Sequence, residues 1–297
     1  VARETIAWGA LRADRGTGSN AMNGQDATRG EIARTLLEVA RRAGSRAPVT
    51  DRDPGFDLAA AYGVSAEIRA HRIAGGETPV GWKIGFTNRT IWDEYDVHAP
   101  IWGPVYDSTV DVATDDRTAS CGVARLMEPR IEPEIVFRVA RPLREGSSEA
   151  ELLACIDGVA LGFELVQSPY PDWRFCAPDT VAAFALHGLL RHRPFVAVTD
   201  DNRDGWFAAL SAFTLSLAKD GEVIDRGASE NVLGGPLSAL KAMVDGLPAT
   251  ALAEPVGPGA IVTTGTLTRA FPVAPGETWA TRVEGVPLAD IALEITA

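Results

Sequence analysis

The spacing of apolar and polar positions changes near residue 78. Before it the rhythm is helical. Ile32, Leu36, Val39 and Ala40 recur at helix spacing, and Gly44 stands as a stop signal. A second helix is predicted from Asp57 to Ala74, closed by the Gly75-Gly76 pair. Past Thr78, short apolar runs (VGWKIGFT, PIWGPVY, STVDVAT, RIEPEIVFRVA) alternate with Gly, Pro and Asp, which predicts strands and turns. Ser148 and Glu151 form a capping-box pattern that opens a short helix through about Ile156. Two more helices are predicted over Ala177–Leu190 and Pro236–Leu247. The second has Pro236 in its first turn and Leu237, Leu240, Met243, Val244 and Leu247 on one face. Lys219-Asp220-Gly221-Glu222 reads as a tight hairpin, and residues 260–296 as short strands between Pro-Gly turns. The layout is α+β: a small helical part over residues 22–78, then a larger, mainly β region over 79–297 with inserted helices.

Within this pattern three glutamates stand out. Glu132 and Glu134 flank Pro133 in a predicted strand, so both side chains project from one face. Like charges at that spacing repel unless water, a proton or a cation separates them. Glu164 interrupts a nearly continuous apolar run from Val159 to Val166, where a lone carboxylate is costly unless paired, protonated or coordinating. A solvated edge and an internal salt bridge explain these residues as well as a metal does. If the three converge, the all-oxygen set suits Mg²⁺ or Mn²⁺ better than zinc or copper. Lys83 sits among Val80, Trp82, Ile84 and Phe86. Apolar surroundings together with a nearby cation would lower its pKa toward a proton-shuttling range, unless the chain simply extends to water.

Composition narrows the function class. The 297 residues are 46% hydrophobic and 23% charged, enough for a substantial globular core. A net charge of −12 disfavours nucleic acid or an anionic membrane as partner. Cys121, Cys155 and Cys176 are scattered, which fits a reducing cytoplasm and neither a disulfide framework nor a zinc ribbon. No run of 18 apolar residues predicts a membrane span, and no signal-peptide order opens the chain. Ser19-Asn20-Ala21-Met22 looks like a tag remnant before an initiator methionine, so residues 1–21 are read as a tag or disordered leader.

The ordered motifs VGWKIGFTN, PRIEPEIVF, GFELVQSPYPDWRF and APDTVA resemble the 2-keto-4-pentenoate hydratase and 4-oxalocrotonate decarboxylase group of the fumarylacetoacetate hydrolase superfamily. The resemblance runs from about Arg29 to the C-terminus. It implies a helical N-terminal part followed by a mixed β-sandwich roll, and usually a homo-oligomer. It also implies a divalent metal, Mg²⁺ or Mn²⁺, held by Glu132, Glu134 and Glu164, and an active-site lysine at Lys83.

The implied activity is a metal-dependent lyase acting on a small 2-oxo acid, first a hydratase adding water to a 2-hydroxydienoate. Decarboxylation of a 4-oxalocrotonate-type substrate is the alternative, followed by carbon–carbon hydrolysis and by a non-catalytic metal-binding homologue. Hydrolysis would need a His/Glu lid pattern, and none precedes Lys83. Arg130 is a candidate for a substrate carboxylate, bound bidentately, and Thr266 beside Thr264 and Thr268 resembles the family's C-terminal substrate-binding turn. Asp172-Trp173-Arg174-Phe175 resembles a loop near the pocket. His98 and Ile101 occupy a segment where hydratases usually carry acids, which predicts a more hydrophobic pocket wall with His98 as a substitute proton carrier. His187 and His192 lie five apart and do not form a helical metal pair, and His71 reads as a helix-surface residue.

Overall fold

The computed structural model describes residues 22–297 apart from position 96 and positions 115–117, so the leader read over residues 1–21 lies outside the described residues. Helices α1 (Met22–Arg41) and α2 (Leu58–Ala74) open the described chain. Strand β1 (Pro79–Gly85), helix α3 (Trp92–Tyr95) and strands β2 (Ile101–Tyr106), β3 (Val110–Val112), β4 (Ala119–Gly122) and β5 (Arg130–Val139) follow. Next come α4 (Glu149–Leu153), β6 (Ile156–Val166), α5 (Ala177–Ala182), β7 (His187–His192), β8 (Val196–Ala197) and α6 (Arg203–Ser211). The hairpin β9 (Thr214–Lys219) and β10 (Glu222–Ala228) leads to α7 (Pro236–Gly246). The last strands are β11 (Ile261–Thr263), β12 (Phe271–Pro272), β13 (Thr278–Glu284) and β14 (Ala292–Thr296).

Local chemistry explains the ends. Asp57 caps α2 by accepting a hydrogen bond from the Ala60 N–H at 2.8 Å. Helix α1 stops one residue earlier than its glycine suggests: Ala43 takes the left-handed turn, and Gly44 N–H closes onto Val39 O at 2.9 Å. The Ser148–Glu151 box caps α4, but the helix ends at Leu153 and Ile156 already belongs to β6. The helix expected over Ala177–Leu190 survives only as α5. Phe184, Ala185 and Leu186 all have positive φ, which unwinds the chain and releases His187 into β7. Asp220 and Gly221 supply the two left-handed positions of the β9–β10 hairpin. Helix α6 is not announced by the sequence pattern.

Among the described residues the strands make two sheets. The larger has nine strands with a main order β2-β1-β11-β5-β6-β7-β3; the smaller runs β10-β9-β13-β14-β4. One apolar cluster joins Leu36 and Tyr62 of the N-terminal helices to Ile131 and Phe163 of the large sheet and to Leu217 and Leu293 of the small one. The α+β layout, helical first and mixed β afterwards, is the one expected. At its centre β5 and β6 pair antiparallel, with β1 reaching β5 across β11. These strands carry the candidate site.

Candidate active site

The register of β5 on β6 sets Glu132 directly opposite Glu164, and Glu134 opposite Gly162. Glu132 and Glu134 share a face of β5, so the three carboxylates converge, each offering an oxygen within 4.8 Å of the others. Glu134 and Glu164 are fully buried, whereas Glu132 is half-buried and faces a cavity.

Each buried glutamate has one oxygen fixed by the protein. Glu134 Oε2 accepts the Gly265 N–H at 2.7 Å, and Glu164 Oε1 meets His187 Nδ1 at 2.7 Å. The other oxygens, Glu134 Oε1 and Glu164 Oε2, are buried with no hydrogen-bond partner among the described residues. Lys83 Nζ, itself 2% exposed, lies 3.4 Å from Glu164 Oε2. Unsatisfied buried carboxylate oxygens are rare because they forfeit hydration, and a hard divalent cation satisfies them. The residues therefore fit Mg²⁺ or Mn²⁺, with Glu132, Glu134 and Glu164 as its holders.

Electrostatics divide the four charges unequally. Burial works against a charged Glu164, but Lys83 and His187 outweigh it and hold its pKa down at about 2. Burial, moderated by Lys83, pushes Glu132 up to about 7. Glu134 goes well above the usual carboxylate range through burial and the charges of Glu164 and Glu132. Burial disfavours the Lys83 ammonium, but in the metal-free cluster Glu164, Glu132 and Glu134 together more than compensate, so its pKa is raised there.

Besides Lys83 and Glu132, the cavity is lined by Thr87, Asn88, Gly265 and Thr266 at the polar side. Phe86, Val166, Trp173, Phe175, Leu186 and Ala270 form the remaining wall with Gly85. Thr87 Oγ1 is buried without a partner among the described residues. Asn88 Oδ1 is occupied by the N–H and hydroxyl of Thr90, at 3.0 and 2.7 Å. Phe86, Trp173 and Leu186 have φ of 54°, 57° and 62°, a left-handed backbone that costs bulky residues ~1–3 kcal/mol each and concentrates at functional sites. Gly265, at φ 94°, must be glycine: a Cβ there would stand 1.8 Å from Thr87 Oγ1.

The other candidates divide. Thr266 lines the cavity, but its hydroxyl donates to Thr268 O at 3.0 Å, so its hydrogen is committed to its own turn. Arg130 does not line the cavity; its guanidinium stacks on Trp173, 4.3 Å from the ring centroid. Neither His98 nor Ile101 forms the wall. His98 is exposed, its ring edge-on to Trp92 at 6.2 Å, and Ile101 is buried in the core, paired with Gly85 in the sheet. The loop expected near the pocket does contribute Trp173 and Phe175. His187 escapes a helical-spacing test because it begins a strand. Thr87 and Asn88 close the VGWKIGFTN motif, which by itself assigns neither a role.

No protein-family model matches the chain. It is 31% identical over 252 residues to the 2-hydroxyhexa-2,4-dienoate hydratase of Comamonas testosteroni, covering 84% of this chain and 92% of that one. It is 32% identical over 247 residues to the 4-oxalocrotonate decarboxylase of Pseudomonas sp. strain CF600, covering 80% and 86%. Its structure matches that of the 4-oxalocrotonate decarboxylase from Pseudomonas putida G7, complexed with magnesium and adipate, with a TM-score of 0.80 at 26% identity over 91% of this chain and 97% of that one.

Proposed function

The chain belongs to the 2-keto-4-pentenoate hydratase and 4-oxalocrotonate decarboxylase family of the fumarylacetoacetate hydrolase superfamily, and from that premise we propose that it is a divalent-metal-dependent hydratase of a 2-hydroxydienoate. The observation that carries the reading is the set of three carboxylates within 4.8 Å, with the Lys83 ammonium 3.4 Å from one of them, beside a cavity.

When bound, Mg²⁺ or Mn²⁺ supplies Lewis-acid stabilisation of negative charge on the substrate oxygen at C2. Glu132, Glu134 and Glu164 would hold the cation, and His187 and Gly265 N–H fix one oxygen of each buried carboxylate, leaving the other free. Thr87 Oγ1 lines the cavity without a partner among the described residues and is the candidate donor to the C1 carboxylate. In the reaction the enol proton leaves the C2 hydroxyl and a proton is added at C5, giving the 2-oxo-3-enoate. The elements of water then add, hydroxyl to C4 and hydrogen to C3, giving a 4-hydroxy-2-oxo acid. Lys83 Nζ, 3.4 Å from Glu164 Oε2 and lining the cavity, is the group that would carry the proton to and from carbon. Phe86, Trp173 and Phe175 keep bulk water from the conjugated chain.

The test is turnover of 2-hydroxypenta-2,4-dienoate with and without EDTA. Loss of the dienoate absorbance, with a 4-hydroxy-2-oxo acid formed only when metal is present, is the expected result; metal-independent turnover or none would overturn it. A second reading, decarboxylation, is favoured by the structural similarity to the decarboxylase and yields CO₂ without uptake of water. We also read the chain as a cytoplasmic homo-oligomer, supported by the resemblance and by three free cysteines, with light scattering as the check on assembly. No helix among the described residues is long and apolar enough to cross a membrane.

A further inference from the structure

Asp179 is a fully buried carboxylate that the proposed reaction does not use. It stands in α5, outside both the carboxylate cluster and the lining of the cavity. Its oxygens nevertheless gather hydrogens from two distant stretches of chain. Oδ1 accepts the N–H groups of Val49 and Thr50 at 2.7 and 3.1 Å. Oδ2 accepts the Thr50 hydroxyl at 2.6 Å and the Cys176 N–H at 3.0 Å. Val49 and Thr50 lie in the connection between α1 and α2, whereas Cys176 directly follows Phe175 of the cavity wall.

The wall segment depends on such a tether. Residues 170–176 carry Trp173 and Phe175, whose rings lie 6.0 Å apart, with Phe86 edge-on to Phe175 at 6.4 Å. Asp172 and Trp173 both have φ of 57°, left-handed backbone that neighbouring contacts must enforce. On one side Glu128 holds the segment: its carbonyl accepts the Trp173 indole N–H at 3.0 Å and its carboxylate the Asp172 N–H at 3.3 Å. On the other side Asp179 holds it, since its carboxylate takes the Cys176 N–H and its carbonyl takes the Tyr170 hydroxyl at 3.1 Å. A further link from the same N-terminal connection runs from the Arg46 N–H to Pro169 O at 2.8 Å.

We infer that Asp179 is a positioning residue that ties the connection between α1 and α2 to the aromatic wall, so that the N-terminal helical part sets how the cavity grips the substrate's carbon chain. The inference rests on the reading of this cavity as the site for a 2-hydroxydienoic acid. A carboxylate suits the task because both its oxygens only accept, and every partner here donates. Asparagine keeps the shape but puts an NH₂ where one acceptor was, and an NH₂ cannot meet a backbone N–H. Replacing Oδ1 would confront two backbone N–H groups, whereas replacing Oδ2 confronts one and a hydroxyl that can turn to accept. The Cys176 arm is therefore the one that Asp179→Asn releases, and with it the peptide that fixes Phe175.

The experiment reads hydrogen exchange over residues 170–176 in the full chain, by mass spectrometry, beside kcat and KM for 2-hydroxypenta-2,4-dienoate with Mg²⁺. All are measured well below the melting temperature. Asp179→Asn is expected to speed exchange in that segment by about tenfold, the usual worth of one hydrogen bond to a buried charge. KM should rise at least about fourfold, the equivalent of one methylene withdrawn from apolar contact, with kcat little changed and Mg²⁺ affinity unchanged. Thr50→Val removes one donor and should move both readouts the same way by less, which serves if Asp179→Asn folds poorly. Thr50→Ser, which keeps the hydroxyl, should behave as the wild type. A lower melting temperature with wild-type exchange over 170–176 and wild-type KM would overturn the inference, because Asp179 would then only maintain the fold. A fall in Mg²⁺ affinity parallel to the rise in KM would overturn it too. Faster exchange in the variants, beside a wild type that never turns over the dienoate, would leave the tether standing and overturn the hydratase reading.

Discussion

His187 Nδ1 lies 2.7 Å from Glu164 Oε1 while its Nε2 lies 2.9 Å from Thr109 Oγ1. The Glu164 carboxylate can only accept, so Nδ1 carries the hydrogen toward it, and the Thr109 hydroxyl lies between His187 Nε2 and Tyr106 O, 2.9 Å from each. The imidazole is thus locked between strand β6 and the turn after β2, and its Nδ1 fixes which Glu164 oxygen remains for a cation. Outer partners of this kind typically tune metal affinity by about 10–100-fold. His187→Ala is therefore expected to weaken Mg²⁺ binding by about that factor, with His187→Gln, which keeps a donor, recovering part of it. Calorimetric Mg²⁺ titration reads this directly; unchanged affinity in the alanine variant would remove His187 from the site.

The cluster also makes a pH prediction. Glu132 is pushed up to about 7 in the folded chain, above its ordinary value of 4.5, so without metal the fold binds a proton more tightly than the unfolded chain does. Its contribution to stability is complete below about pH 4.5 and is lost as pH rises through about 7. Glu134, also raised, acts in the same direction. A divalent cation removes this loss by replacing the proton. The rise in melting temperature caused by Mg²⁺ should therefore grow between pH 5 and pH 8 for the wild type and grow less for Glu132→Gln. Thermal melts at fixed Mg²⁺ would count against the arrangement if the rise were the same at every pH.

Much of this centre is legible in the amino-acid order, for a physical reason. Two-residue periodicity places Glu132 and Glu134 on one face whatever the rest of the fold does, and an apolar run announces that Glu164 is buried. What strand pairing adds is the register that sets Glu164 opposite Glu132, a non-local fact. Lys83 is recognisable from its motif but its charge state is not, because burial pulls one way and three carboxylates the other, and only distance decides. Helix propensity over Ala177–Leu190 loses to the left-handed run at Phe184–Leu186, which carries no Gly or Pro to announce it. His98 and Ile101 resemble pocket residues by motif position, yet the first faces solvent and the second packs into the core.

Gly265 offers a test of the cradle that holds Glu134. Its N–H binds Glu134 Oε2 at 2.7 Å, its φ is 94°, and a Cβ there would collide with Thr87 Oγ1 at 1.8 Å. Gly265→Ala must move the turn or Thr87, and either motion loosens the Glu134 carboxylate. We expect a lower melting temperature and weaker Mg²⁺ binding together. The companion Thr87→Ala relieves only part of the collision, since the Thr87 Cβ would remain 2.9 Å away. The double variant should recover stability partially and metal affinity less. A Gly265→Ala protein with wild-type melting and Mg²⁺ affinity would show that this turn does not set the site.

Lys83 separates holding the metal from moving the proton. Its ammonium is 3.4 Å from Glu164 Oε2 and is kept charged by the three carboxylates, so without a cation it neutralises part of the cluster. Lys83→Met keeps an unbranched side chain and removes the charge. Mg²⁺ then competes with no neighbouring cation, so its affinity should be unchanged or higher, while the metal-free protein, with its carboxylates unrelieved, should melt lower. Turnover should fall by about 10²–10⁴-fold, the usual worth of a positioned general acid or base, and the loss should appear in kcat more than in KM. Supplying ammonium or small alkylamines to the variant should restore part of kcat if proton transfer is what was lost. Wild-type kcat in Lys83→Met would exclude the lysine from catalysis, and a parallel loss of Mg²⁺ binding would assign it to holding the cluster instead.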